Sequence, residues 1–159
     1  MLTQDQIEDV WEGRISSEVR SLYFGDLANV YSRRKQWITG ASFFLSSGAA
    51  AMLIAKMPVT IPIALSVLVA LMTAYAVAVN LDSTIRTMAK LHFASGQIGN
   101  DYKRLWNHTY SDDAEAELTD LQRRESELSE LATTDAPNDP GRMAHWTDQV
   151  FKLNRLPTA

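Results

Sequence analysis

Two long apolar runs interrupt a chain whose remaining segments are densely charged. The runs cover residues 37–55 and 59–81, and between residues 36 and 81 the only charged side chain is Lys56. As α-helices they would be about 29 Å and about 34 Å long, close to the roughly 30 Å hydrocarbon core of a bilayer. Neither run has a charged residue at any helical phase, whereas a core helix of a small soluble domain keeps a polar face. The pattern therefore predicts two membrane-spanning helices.

The very short segment between the runs predicts how they are arranged. Pro58 disfavours helical backbone at the residue before it, so the first helix is expected to end near Met57. Pro62 is compatible with the first turn of the second helix, where its missing amide hydrogen would be unpaired in any case. So short a turn forces the spans to run antiparallel. We expect the chain to enter and leave the membrane on the same side.

Basic and aromatic side chains at the ends of the runs predict the orientation of this hairpin. Several cations precede the first run and two follow the second, but the turn carries only Lys56. Cytoplasmic flanks carry an excess of lysine and arginine, so both termini are expected in the cytoplasm, with the hairpin in the inner membrane. The residues expected to set this topology are Arg33, Arg34, Lys35, Trp37, Arg86 and Lys90.

Apolar residues recur at helical spacing on both sides of the hairpin. The upstream stripe predicts one long helix that continues into the membrane, and the first downstream stripe predicts a helix that continues from the second span. Gly96 and Gly99 in that helix predict a close helix crossing. After a lapse near residues 107–111, Ser111 and the acids that follow predict the start of a further helix. The stripes consist of Ile15, Val19, Leu22, Tyr23, Leu27, Val30 and Tyr31; of Ile85, Met88, His92, Ile98, Tyr102 and Leu105; and of Leu118, Leu121, Leu128 and Leu131.

These patterns together predict an all-α membrane protein. The fold class is a two-span transmembrane helical hairpin with long cytoplasmic helical extensions, assembled as an oligomer. A short C-terminal helix should carry Trp146 and Val150 on one face. The expected segments are a cytoplasmic amphipathic lead helix (1–35), the first span (36–56), a short turn (57–62), the second span (63–81), cytoplasmic helices (82–132), and a loop with the C-terminal helix (133–159).

The composition argues against several classes of chemistry. The chain has no cysteine, which excludes disulfides, thiolate metal sites and cysteine nucleophiles, and its net charge of −4 gives no reason to expect a nucleic-acid partner. His92, His108 and His145 lie in three different helical contexts, without a recurring metal-ligand spacing. We therefore expect no enzymatic activity, no cofactor and no metal site.

Small and hydroxyl side chains form stripes along the two predicted spans. In the second span, Ser66, Ala70, Ala74 and Ala78 are spaced by fours, which lets helix backbones approach closely in lipid. The stripe in the first span allows two interpretations. It is a packing seam, which the spacing alone favours, or it lines a water-filled lumen that only several copies together can enclose. The pore-lining candidates are Thr39, Ser42, Ser46 and Ala50.

This layout resembles the SLATT family, two-transmembrane effector domains associated with bacterial nucleotide-signalling conflict systems. The resemblance covers roughly residues 22–131. It lies in the amphipathic lead helix, the segment from Tyr31 to Trp37 (YSRRKQW), the two closely joined spans, and the charged helix with Lys90, Tyr102 and Leu105. It implies a homo-oligomeric pore-forming effector, acting in anti-phage defence, that permeabilises the inner membrane on a signal from a sensor or nucleotide-signalling partner.

Other functions stay open at this point. A non-conducting membrane anchor that recruits a cytosolic partner would share the hairpin, as would an ion channel or transporter subunit. The latter would be supported by an acid inside a span, but Asp82 lies only at the edge of the second run. An enzyme that acts at the membrane interface is the least favoured alternative, because the sequence shows no set of residues arranged for catalysis.

Overall fold

The computed structural model describes residues 1–47 and 60–154, and within these ranges every regular element is a helix. The helices are α1 (Gln4–Ser46), α2 (Thr60–Ala78), α3 (Leu81–Trp106), α4 (Ala114–Asp135) and α5 (Pro140–Asn154). The prediction of an all-α protein is thus confirmed for the described part of the chain. Most of the predicted turn at 57–62 lies outside the described residues.

The chain divides into two compact units. The first, here the four-helix unit, comprises Met1–Leu27 and Arg86–Ala159, and so contains the beginning of α1, most of α3, and α4 and α5. The second, here the apolar unit, comprises Ala28–Ile85, with the remainder of α1 and all of α2. The division places both apolar runs in the second unit and most of the charged residues in the first.

The four-helix unit has a hydrophobic core of its own. Side chains from α1, α3 and α4 form the larger cluster, in which Leu105 and Val10 are fully buried. Burial of side chains of this size contributes about 1.5–3 kcal/mol each to the stability of the unit. The cluster consists of Leu2, Val10, Ile98, Tyr102, Leu105, Ala114, Leu118 and Leu121.

A second cluster joins α1 to α5. Ile15 and Val19 of α1 pack with Val150 of α5, and Trp146 is partly buried against them. The prediction that Trp146 and Val150 share the packed face of a C-terminal helix is therefore confirmed. Because α1 has buried residues on two sides, it forms the centre of the unit and holds both clusters.

Glycines let α1 and α3 cross closely, as Gly96 and Gly99 predict. A Cβ atom added at Gly99 would lie 3.5 Å from Cβ of Ser17, which is an ordinary contact. The crossing is tightest at Gly13, where an added Cβ atom would overlap the ring of Tyr102. The aromatic ring lies directly on the α1 backbone there, so this position requires glycine.

Replacement of Gly13 by alanine is expected to strain the four-helix unit by about 1–3 kcal/mol, the usual cost of overpacking. Tyr102 is only 1% exposed, so its ring has no free space to enter. The better helix propensity of alanine, about 1 kcal/mol, offsets only part of this strain. Urea denaturation followed by far-UV circular dichroism measures the change. Gly99→Ala is the matched control and should be neutral or slightly stabilising; equal losses in both variants would contradict the assignment.

A polar network lies beside the larger cluster. The hydroxyl of Tyr102 donates to Oε2 of Glu125 at 2.9 Å, and Nη1 of Arg20 donates to Oε1 of the same carboxylate at 3.1 Å and to Oγ of Ser129 at 2.8 Å. Burial, and then the charge of Glu125, raises the pKa of Tyr102 well above its ordinary range. The phenol thus stays protonated and remains a donor to the carboxylate.

The loop before α5 is tied to α1 by hydrogen bonds. The hydroxyl of Tyr23 donates to the carbonyl oxygen of Pro137 at 2.6 Å and accepts from the amide of Asp139 at 3.0 Å. Nη1 of Arg142 donates to Oδ2 of Asp26 at 2.6 Å. Pro140 occupies the first position of α5, where its missing amide hydrogen costs nothing. These hydrogen bonds hold the loop and the first turn of α5 against α1, and the apolar contacts of Val150 follow further along the helix.

The path from α2 to α3 contains a turn, although the sequence predicts a continuous helix there. Val79 and Asn80 form the turn, and Asn80 adopts a left-handed backbone conformation with a φ of 45°. Asparagine tolerates this region better than most residues because its short side-chain amide can form local hydrogen bonds. The turn lies close to the predicted end of the second span.

Two further features of α4 differ from the predictions. Asp113, rather than Ser111, precedes the helix, and it makes no side-chain capping bond. Instead, Oγ of Ser111 donates to the carbonyl oxygen of His108 at 2.9 Å and so stabilises the preceding turn. Leu131, predicted on the packed side with Leu118, is 45% exposed, because it lies beyond the end of the larger cluster.

Candidate membrane-spanning segment

The apolar unit presents large apolar side chains on its surface. Leu71 and Val77 on α2 are 63% and 74% exposed, and Phe43 on α1 is 77% exposed. An exposed apolar surface of this extent is rare on soluble monomers and marks a contact with lipid or protein. Its other members are Trp37, Phe44, Ile63, Val67, Leu68, Tyr75 and Val79.

One helical stretch in the described residues is long and apolar enough to cross a membrane. It extends over Ile63–Trp106, including the turn at Asn80, and contains an 18-residue window with a mean hydropathy of 2.1. No residue of that window is buried, whereas the core helix of a soluble protein would be mostly covered. The described residues thus contain one candidate span, in the region predicted for the second one.

The first predicted span lies only partly within the described residues. Its residues 37–46 belong to α1, which is helical up to Ser46, and residues 48–55 fall outside the described ranges. A hairpin of two spans therefore remains a prediction.

Half-buried residues mark the inner sides of α1 and α2 within the apolar unit. On α2 they recur at Leu65, Val69, Met72 and Ala76, and on α1 they include Ile38. Ile38 and Ala76 line the same groove, of about 310 Å³. Apart from Ala76, the half-buried seam of α2 thus consists of larger side chains than the predicted alanine stripe.

The predicted packing stripe lies on the exposed side of α2. Ser66, Ala70, Ala74 and Ala78 are all exposed in the single chain. Exposed small side chains at this spacing offer a surface on which a second copy could pack.

The predicted pore-lining stripe is divided by the structure. Thr39 is exposed, whereas Ser42 is half-buried, on the same side of α1 as Ile38. Ser46 is the last residue of α1, and Ala50 lies outside the described residues. Of the four candidates, only Thr39 is shown to be exposed, and it borders the groove that Ile38 and Ala76 line.

An ion pair that the sequence did not predict connects the ends of the apolar segments. Nζ of Lys35 donates to Oδ1 of Asp82 at 2.5 Å, and both residues border the groove lined by Ile38 and Ala76. Asp82 thus has a cationic partner at the edge of the segment. The signal in the sequence is a lysine before one run and an aspartate after the next, which an antiparallel hairpin brings together.

The other predicted topology residues are exposed. In the apolar unit, Trp37 is 79% exposed, Arg33 is exposed, and the guanidinium of Arg34 lies 5.9 Å from the ring centroid of Tyr31. In the four-helix unit, Arg86 and Lys90 are exposed on α3. All of these cations can therefore reach water or lipid headgroups.

Comparison with known proteins identifies no relative of this chain. No family model, curated protein or solved structure matches this chain. The resemblance to the SLATT family therefore rests on the residues named above. Within the described residues, no group of three or more histidine, aspartate or glutamate side chains is placed to hold a metal ion.

Proposed function

We propose that this chain is an oligomeric, membrane-embedded pore-forming effector. Residues 37–55 and 59–81 form an antiparallel hairpin of two spans, and several copies enclose a lumen lined by the first span. The observation that carries the proposal is the uncovered apolar surface that begins in α2, since an 18-residue apolar window of the stretch Ile63–Trp106 has no buried residue. Water does not accommodate such a surface, so lipid and neighbouring copies must cover it.

The charged flanks support an orientation with both termini in the cytoplasm of a cell, at its inner membrane. The exposed cations Arg33, Arg34, Arg86 and Lys90 flank the two predicted spans. Lysine and arginine are enriched on the cytoplasmic side of membrane proteins. The four-helix unit then lies in the cytoplasm, which its self-contained core permits.

The exposed small side chains of α2 support association between copies. Ser66, Ala70, Ala74 and Ala78 form a flat strip at four-residue spacing on the outer side of the helix. Small residues at this spacing allow close helix contacts in lipid. Because two helices cannot enclose a lumen, such contacts between copies are a requirement of the pore.

The effector part of the proposal rests on the resemblance to the SLATT family. That likeness suggests a cytoplasmic sensor or nucleotide-signalling partner whose signal opens the pore, as an anti-phage defence. The four-helix unit offers the surface for such a partner.

A non-conducting anchor is the second candidate. It is favoured by the division of the hydroxyl stripe, since Ser42 lies on the half-buried side of α1 while Thr39 is exposed. An ion channel subunit is the third candidate. Asp82 is the acid that would mark its ion pathway, but this carboxylate pairs with Lys35 at the edge of the apolar unit.

Leakage from liposomes tests the proposal. The chain is reconstituted in liposomes loaded with a self-quenched dye, and we expect release that depends on the protein-to-lipid ratio. Thr39→Leu should reduce the release, because it replaces a hydroxyl on the proposed lumen side. Thr73→Leu is the matched control on α2, where the hydroxyl already donates to the carbonyl oxygen of Val69 at 2.9 Å, and should leak like the wild type.

The outcomes separate the candidates. An inserted oligomer that never releases dye, even with candidate triggers added, would contradict the pore and support the anchor. Equal release from Thr39→Leu and the wild type would contradict a lumen lined by Thr39. Release of small ions without release of dye would favour the ion channel subunit.

A further inference from the structure

A groove lies on the four-helix unit where α1 and α3 cross. Its volume is about 290 Å³, and its floor is the α3 backbone at two glycines, which expose main chain that a larger side chain would cover. Two cations line it, Arg14 from α1 and Lys103 from α3. Its lining also includes Ser21 and Leu22, and the residues used below are Arg14, Glu18, Gly96, Gly99, Asn100 and Lys103.

The two cations differ from most others in the unit because they have no carboxylate partner. Neither Arg14 nor Lys103 has a carboxylate oxygen within 4.0 Å among the described residues, although the chain has 19 acidic residues against 15 basic ones. The only other unpaired cations described in this unit, Arg86 and Lys90, belong to the flank of the predicted second span. The cations that do have a carboxylate partner are Arg20, Arg104, Arg123, Arg124, Arg142 and Lys152.

Neutral groups hold Arg14 in place without cancelling its charge. Its Nη2 atom donates to Oδ1 of Asn154 at 3.3 Å, and its guanidinium lies 5.4 Å from the ring centroid of Trp11. The amide of the same Asn154 donates to Oε2 of Glu18 at 3.3 Å. Asn154 thus holds both the guanidinium and the acid of the groove, and leaves the remaining donors of Arg14 available.

We infer that this groove binds a phosphate-bearing small molecule, held by Arg14 and Lys103. A guanidinium presents a planar fork that matches phosphate oxygens, and an ammonium adds a mobile point charge. Asn100 supplies a neutral amide donor at the same wall. The volume is at the lower end for ligand sites, so the molecule has a phosphate or pyrophosphate with a small substituent. The site lies within the four-helix unit and does not depend on the proposed pore.

Calorimetric titration of the full-length chain tests the inference. The protein is kept in an uncharged detergent, and inorganic pyrophosphate is the probe. We expect saturable binding that weakens about tenfold or more in Arg14→Gln and in Lys103→Gln, the effect of losing one charged hydrogen bond. Glu18→Gln should tighten binding by about two- to fivefold, because it removes the opposing charge.

Arg86→Gln and Lys90→Gln are the matched controls. Each removes one unpaired cation from α3 outside the groove, and each should change the affinity by less than about twofold. Absence of saturable binding in the wild type would overturn the inference, as would equal weakening in all four charge variants. Lys103 is exposed, so Lys103→Gln keeps the test decisive if Arg14→Gln fails to fold.

A competition experiment identifies the source of the phosphate. The titration is repeated with micelles that contain phosphatidylglycerol or phosphatidylcholine. Competition by phosphatidylglycerol alone supports the site and assigns it to an anionic lipid headgroup, whereas unchanged binding supports it and assigns it to a soluble molecule.

Discussion

Replacement of Leu68 and Leu71 together by arginine is expected to abolish stable insertion of the chain into membranes. Both side chains face outwards from the middle of α2, where they are 47% and 63% exposed. Arginine at the centre of a span costs about 2.5–3.5 kcal/mol on insertion, so two cost about 5–7 kcal/mol. That difference reduces the inserted fraction by more than about a thousandfold. Alkaline carbonate extraction of isolated membranes measures it.

The control places the same change on the four-helix unit. Leu131 and Leu153 are 45% and 76% exposed, so their replacement by arginine adds equal charge to a surface that is already in water. This double variant should remain in the membrane fraction like the wild type. If the α2 variant is retained equally well, or if the wild type itself is extracted by carbonate, α2 does not span the membrane.

The second large effect is expected in the core of the four-helix unit. Leu105 is fully buried among Val10, Leu118 and Leu121, side chains that come from two other helices. Truncation to alanine removes these contacts and leaves a cavity, which costs about 2–5 kcal/mol. Urea denaturation in detergent, followed by tryptophan fluorescence, should show the loss.

Leu131→Ala is the companion measurement. Its side chain is already 45% exposed near the end of α4, so its truncation should cost less than about 1 kcal/mol. Equal losses at Leu105 and Leu131 would show that the four-helix unit lacks the core described here. A stable Leu105→Ala protein that still inserts into membranes would show the same.

Much of the helical organisation is predictable because it depends on local patterns. The first stripe is buried at Ile15, Val19, Tyr23 and Leu27, and the second at Met88, Ile98, Tyr102 and Leu105, whereas His92 of the second is exposed. Helical periodicity needs only neighbours within two turns to be recognised. The close crossing at Gly96 and Gly99 was also predictable, since two glycines within one turn leave a gap that a neighbouring helix can fill.

The requirement for glycine at position 13 could not be predicted. Its cause is the ring of Tyr102, which is distant in sequence and meets α1 only after the helices have packed. The network of Tyr102, Arg20 and Glu125 has the same origin, because it joins three helices. For the same reason the sequence identified Ser66 and Ala70 as small residues but did not show that they face outwards.

The sequence by itself determined that this protein is helical and contains a segment apolar enough to enter a membrane, because hydropathy and helical period are sums over neighbouring residues. Only the tertiary structure decided which side of each helix is covered and which charges find partners. The exposure of Leu71, the pair of Lys35 and Asp82, and the unpaired Arg14 and Lys103 all depend on how each helix is rotated about its axis. That rotation is set by packing between distant segments, which no local pattern encodes.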